Sequence, residues 1–158
     1  MKLIKLGPNH NALVDDEDYE ELAQFNWHST KKASDKTTYA ARTLINENGK
    51  RQTLYMHRHI TSYEQTDHID GNGLNNCRSN LRAATNSQNH ANTPKYIGVY
   101  SSQYKGVFWD KLRKKWRAKI YCNKKQYYLG LYADEVEAAK AYDEAARHYF
   151  GEFAYTNF

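Results

Sequence analysis

Apolar and polar residues alternate most regularly in the last third of the chain. Trp116, Ala118 and Ile120 alternate with Lys115, Arg117, Lys119 and Tyr121, a period of two that gives a strand one buried and one exposed face. Tyr104 to Trp109 and Gln126 to Tyr132 read as two further strands. From Asp134 to Phe150 the period changes. Val136, Ala139, Tyr142, Ala146 and Tyr149 recur every three or four residues, as on one helix face. Asp134, Glu135 and Glu137 suit the positive N-terminal end of that helix. The expected unit is α+β, a three-stranded antiparallel sheet packed on one helix. Its other side stays free, and Trp116 belongs to the core under the helix.

The preceding residues are less regular. Asp15 to Phe25 starts acidic and carries Tyr19, Leu22 and Ala23 at helical spacing. Thr37 to Leu44 and Arg51 to Met56 are β-prone, with Asn46-Glu47-Asn48-Gly49 as a hairpin turn between them. Its Asn48-Gly49 pair is expected to supply the positive φ angles. His57 to Ile60 begins a short helix. After an Asn/Gly-rich loop from Asp67, Leu81 to Thr85 reads as a short strand and Asn86 to Asn92 as a helical turn or two. Pro94 disfavours helix at the residue before it, which sets the expected organisation: one domain over 1–93, a linker over 94–103, and a second domain over 104–158.

Composition adds bounds. A mean hydropathy of -0.97 over 158 residues requires a small or divided core. No apolar run reaches the eighteen or so residues of a membrane span, and the N-terminal run is too short for a signal peptide. Cys77 and Cys122 stand far apart, so neither a disulfide framework nor a thiolate zinc site is expected, and a reducing, intracellular setting is. The charge is uneven. Residues 1–93 hold 11 Lys/Arg and 11 Asp/Glu, whereas residues 94–158 hold 12 and 7, the whole net +5. Between Lys95 and Lys125 ten basic residues face one acid, Asp110, and aromatic residues are interleaved with them. That mixture points to a nucleic-acid surface.

The densest chemistry lies in Asp67-His68-Ile69-Asp70-Gly71-Asn72-Gly73-Leu74-Asn75-Asn76, followed by Asn80 and Asn89. One imidazole, one carboxylate and several carboxamides can place a general base beside a hard cation, the equipment of phosphodiester hydrolysis. Asp67-His68 with Asn80, Asn89 and the flanking Met56-His57-Arg58 resembles the HNH motif of phage and intron-encoded homing endonucleases. Tyr104-Lys105-Gly106-Val107, Trp116-Arg117-Ala118-Lys119-Ile120, Tyr128-Leu129-Gly130, Ala141 to Ala146 and Asn157-Phe158 are similar to the plant ethylene-response-factor (APETALA-type) DNA-binding domain. The pair, in this order, resembles HNH endonucleases that carry such a domain.

The resemblance implies a ββα-metal (His-Me finger) nuclease domain and a DNA endonuclease acting on double-stranded DNA. Bacterial or phage-infected host cytoplasm is the implied setting, and a monomer the expected state. His68 is the expected base, and Asn80 the residue that orients it. Asp67 and Asn89 are the expected ligands of Mg²⁺, for which Mn²⁺ can substitute. Asn75 and Asn76 rival Asn80, His90 rivals Asn89, and Asp70 is read as shaping the turn. Asn86 stands where the family often has a basic residue, which leaves Arg82 or Arg58 as the cationic stabiliser. In the plant relatives the sheet enters the major groove. Matching positions here are Lys105, Lys115, Arg117, Lys119, Tyr121 and Tyr128, whereas Phe108 and Asp110 replace family arginines. The alternative from another class is a non-catalytic DNA-binding regulator.

Overall fold

In the computed structural model, which describes residues 1–31, 37–95 and 98–158, the chain begins with an antiparallel hairpin. Ile4 and Leu6 are buried while Leu3 and Lys5 are exposed, so β1 (Lys2–Lys5) lays one edge on the core and pairs antiparallel with β2 (Asn11–Val14). Ala12 and Val14 are the buried residues of β2.

Asp15 precedes α1 (Asp16–Leu22), whose first turn holds Asp16, Glu17 and Asp18, where the helix dipole favours negative charge. The Trp27 indole N–H donates to the Leu22 carbonyl at 2.8 Å and closes the helix end. Three strands follow in the order β3 (His28–Thr30), β4 (Tyr39–Ile45), β5 (Arg51–Tyr55), all antiparallel. The β4–β5 turn is where expected, but its mechanism differs. Only Gly49 takes a positive φ, 71°. The Asn46 carboxamide does the remaining work by accepting from the amides of Asn48 and Lys50.

Next come α2 (Met56–Thr61), β6 (Thr66–His68) and β7 (Leu81–Ala83), the last two paired antiparallel. Leu22, Trp27, Met56, Ile60 and Leu81 join Ile4, Leu6 and Val14 in one core. These elements form a compact unit over Met1–Ala84.

The second compact unit is Thr85–Phe158. It opens with α3 (Asn86–Ala91), capped by Thr85 and Gln88 in a reciprocal capping box. α3 thus belongs to the same compact unit as the sheet that follows it. Tyr96 and Ile97, inside the expected linker, lie outside the described residues. The sheet β8 (Val107–Asp110), β9 (Lys115–Cys122), β10 (Lys125–Tyr132) is antiparallel with β9 central. α4 (Glu135–Phe150), capped by the Asp134 side chain, covers one side. Val107, Ala118, Ala138 and Ala139 form one part of the core, with Trp116 packed against them, and Ile120, Tyr142 and Ala146 form the other. The small alanines bring the helix close to the sheet.

The architecture is thus mixed α and β, with several small antiparallel sheets and a few helices. Cys77 and Cys122 are buried and free, and no described helix is long and apolar enough to cross a membrane.

Candidate active site and nucleic-acid interface

β6 ends on Asp67 and His68, which pair across the ladder with Arg82 and Leu81 of β7. After His68 the chain reverses, with the Gly71 amide donating to the His68 carbonyl at 2.9 Å and Gly71 at φ 71°. Short polar side chains fix the loop that follows. Asp70 accepts from the Asn72 amide at 2.8 Å and from the Asn75 side chain at 2.7 Å. Burial acts to raise the Asp70 carboxyl, but these bonds and one from Asn80 outweigh it and hold it below the usual carboxylate range.

Asn80 is the brace of the loop. Its side-chain amide donates to Asp70 Oδ1 at 2.9 Å and to the Asn75 carbonyl at 2.8 Å, and its Oδ1 accepts from the Asp70 amide. Its backbone carbonyl accepts from Ile69, the residue after His68. Asn80 thus braces the backbone next to the residue that carries the imidazole.

His68 is buried, at 6% exposure. Its Nε2 lies 3.4 Å from Asn76 Oδ1, and the rings of His57 and Tyr39 stand 5.0 and 5.8 Å away. Burial pushes His68 below the ordinary histidine value, against the opposing pull of Asn76, Asp70 and Asp67. His57 stacks on Tyr55 and is pushed down to about 3, chiefly by burial and then by the charges of His68 and Arg58. Both rings are therefore uncharged at neutral pH. Gly73 makes room for this cluster, because a Cβ there would lie 2.5 Å from the Tyr39 ring and 2.6 Å from the Thr38 carbonyl.

Two members of the cluster carry buried polar atoms that have no partner among the described residues, His57 Nδ1 and Asn76 Nδ2. Asn76 is hard to single out from residue types alone. In a run of Asn and Gly every carboxamide reads as a turn residue, yet this one is fully buried and anchored by its amide to the Leu13 carbonyl.

Arg82 donates from Nε and Nη2 to Asp67 Oδ2, at 2.9 and 2.8 Å, with both side chains largely buried. A cation at Asp67 would share the carboxylate with this guanidinium. Among the described residues no group of three or more His, Cys, Asp or Glu side chains forms a metal cluster. The donor chemistry of a carboxylate and a carboxamide still fits Mg²⁺, which keeps several waters and needs only one or two protein oxygens. Asp67, His68 and Asn80 belong to the first unit, and Asn89, half-buried on α3, to the second.

On the sheet, Lys115, Arg117, Lys119 and Tyr121 project from the side of β9 opposite Trp116, Ala118 and Ile120. Phe108 pairs with Arg117 and Tyr128 with Lys119, so both join that side. Tyr121 and Tyr128 are 60% and 59% exposed. Lys119 Nζ lies 4.7 Å from the Phe108 ring, a spacing for cation–π attraction. Asp110 accepts from the Arg113 backbone and pairs with the Arg113 and Arg117 side chains, contacts that hold it below the usual carboxylate range. Arg117 is thereby held in place and partly neutralised.

Lys105 lies just ahead of β8. Its ammonium donates to the carbonyls of Ala91 and Thr93, at 2.7 Å each. Beside it, Asn86, Ser87 and His90 of α3 face Lys119, Ile120 and Tyr121 across a groove of about 790 Å³.

Comparison with known proteins accounts for both halves. The AP2 domain family matches residues 102–152. An uncharacterized HNH endonuclease of Acanthamoeba polyphaga mimivirus is 38% identical over 106 residues, 66% of this chain and 53% of that protein. APETALA2-like protein 2 of Oryza sativa subsp. japonica is 47% identical over 60 residues, 37% of this chain and 14% of that protein. Protein 3.8 of Escherichia phage T7 is 43% identical over 63 residues, 39% of this chain and 50% of that protein. The chain thus spans about half the length of the two viral relatives. The chain carries an AP2 domain over residues 102–152 and is a homologue of an HNH endonuclease.

Proposed function

We propose that this chain is a homing-type DNA endonuclease that hydrolyses phosphodiester bonds by a one-metal HNH mechanism. In this reading β6, β7 and α3 are the parts of a ββα-metal domain over 1–93, and the unit over 104–158 lays its sheet into the major groove of double-stranded DNA. The observation that carries it is a buried, uncharged imidazole, His68, beside the carboxylate of Asp67 at the end of β6. We also propose that the protein works inside the cell and as a monomer.

His68 takes the proton of the attacking water, a task for an uncharged imidazole near neutral pH. The rings of His57 and Tyr39 fix its plane and exclude bulk solvent, and Asn80 holds the backbone beneath it. Asp67 and Asn89 are the residues that would hold Mg²⁺, or Mn²⁺ in its place. Such an ion, when bound, supplies Lewis-acid stabilisation of the phosphate and its leaving oxygen. Lys115, Arg117, Lys119, Tyr121 and Tyr128 form the DNA-contacting side.

The decisive test is supercoiled plasmid with Mg²⁺, with and without EDTA. Nicked or linear product only where the metal is free supports the reading, and intact plasmid in every divalent cation sinks it. Asp67→Ala should raise the Mg²⁺ needed for half-maximal rate at least tenfold, as read in a metal titration. Asn89→Ala should do the same and His90→Ala should not.

One observation favours a non-catalytic DNA-binding regulator, namely the Arg82 guanidinium already seated on Asp67. If that pair were purely structural, Asp67→Ala would destabilise the fold and change no metal response, because no cleavage would be there to respond.

The sheet carries a separate prediction. Each phosphate neutralised adds about -0.9 to the slope of log affinity against log salt. With Asp110 already compensating Arg117, Arg117→Ala with Lys119→Ala should flatten the slope by about one unit rather than two, measured by titrating duplex DNA at several salt concentrations. Tyr128→Ala should blur sequence preference and leave the slope nearly unchanged.

A further inference from the structure

We infer that Lys105 is the clamp that fixes α3 to the AP2 domain, and so a positioning residue for Asn89 rather than a contact to DNA. The inference rests on the proposed role of Asn89 as a metal ligand. It adds that the DNA-binding domain holds the element on which that ligand rides.

Three observations carry it. First, α3 borders a groove of about 790 Å³ along Asn86, Ser87 and His90, so the side of the helix facing the sheet is not filled by packing. Its attachment is concentrated at its C-terminal end. There the Ala91 carbonyl accepts from Lys105 Nζ at 2.7 Å and from the Tyr155 amide at 3.2 Å, and the Thr93 carbonyl accepts from the same ammonium. These are carbonyls at and just past the helix end, where a cation is favoured both as donor and by the helix dipole.

Second, the other end of the clamp is rigid. The Lys105 amide donates to Asn157 Oδ1, Asn157 donates to Asp143, and Asp143 is a buried residue of α4 that also accepts the Phe158 amide. The Lys105 ammonium also lies 5.5 Å from the Tyr155 ring and 6.0 Å from the Tyr142 ring.

Third, the intervening chain is tied in the same manner. Lys95 donates to the carbonyls of Ser102 and Tyr104, at 2.6 and 2.7 Å, and burial lowers its ammonium from the ordinary lysine value. Lys95 thus ties the start of the expected linker to its far end.

The test begins with the unaltered protein. Lysine acetylation is followed by mass spectrometry, with and without duplex DNA. Lys115 and Lys119 should react freely and become protected by DNA, while Lys105 reacts at least tenfold more slowly in both states. A Lys105 that reacts as fast as Lys115 and is protected only by DNA overturns the inference.

The second arm is Lys105→Met, which keeps the aliphatic stem against the tyrosine rings. Amide exchange at Asn89 and Asn92, whose N–H groups bond to Thr85 and Gln88, should accelerate at least tenfold, and Mn²⁺ affinity read by electron paramagnetic resonance should fall with it. The salt slope of DNA binding should stay within about 0.3 of the original. A slope reduced by about 0.9, the contribution of one phosphate contact, with α3 exchange unchanged, overturns the inference. Asn89→Ala separates the two readings. If it leaves Mn²⁺ affinity intact while Lys105→Met still frees α3, the ligand assignment fails and the clamp itself stands.

Discussion

His68→Ala should lower the cleavage rate by about 10²–10⁴-fold, the usual contribution of a positioned general base, and leave DNA affinity within a few-fold. The affinity is expected to survive because the basic sheet lies in the other compact unit. Single-turnover cleavage of a target plasmid, beside a binding titration of the same variant, reads both quantities. A folded variant with near-normal turnover would exclude His68 as the base.

The pH profile carries independent information. A base works only while unprotonated, and burial holds His68 below the ordinary histidine value. The rate should stay level as pH falls from 8 to about 6.5, the unperturbed value, and decline only below it. Stability follows the same sign. The unfolded chain takes up protons that buried His57 and His68 refuse, so their contribution is complete above about pH 6.5. For His57 it is lost as pH falls toward its folded value of about 3.

The largest structural effect should come from Gly106→Ala. Gly106 has φ 77°, and a Cβ there would sit 1.9 Å from the Tyr142 ring and 2.8 Å from the Lys119 carbonyl. The left-handed conformation costs an alanine about 1–2 kcal/mol, and forcing a methyl into a packed core costs a further 1–3 kcal/mol or so. Tyr142 cannot yield readily, since it is buried in the core beneath the sheet. A loss of about 3 kcal/mol would lower the melting temperature of a unit this size by roughly 15 °C. Calorimetry checks it. The transition assigned to Thr85–Phe158 should move far more than that of Met1–Ala84.

What could be read from the sequence was whatever had a contrast of faces. β9 and α4 announce themselves because basic or acidic residues lie opposite apolar ones at a fixed period. β6 does not, since Thr66, Asp67 and His68 are all polar and the strand exists only through its partner β7. The β1–β2 hairpin was missed for a related reason, as four-residue strands give too few alternations to count. In α4 the buried face includes Ala138 and Asp143, where the spacing suggested Val136 and Tyr149. A buried carboxylate reads as solvent-facing until the amides of Asn157 and Phe158 are seen to satisfy it. The site followed the same logic. Asp67, His68 and Asn80 stand out as residue types at a spacing, whereas the roles of Asn76, His57 and Lys105 depend on which neighbours the fold brings to them.

β9 builds the core with Trp116, Ala118 and Ile120 and presents Lys115, Arg117, Lys119 and Tyr121 on the reverse. Because the two sets interleave, one inserted or deleted residue would exchange them wholesale, burying cations and exposing the core. If the outward set contacts DNA as proposed, its target can therefore drift by point substitution at those positions and not by a change of length within the strand. A lineage that retargets quickly should show these four sites varying between buried neighbours that stay fixed, with length changes confined to the turns at either end of the strand.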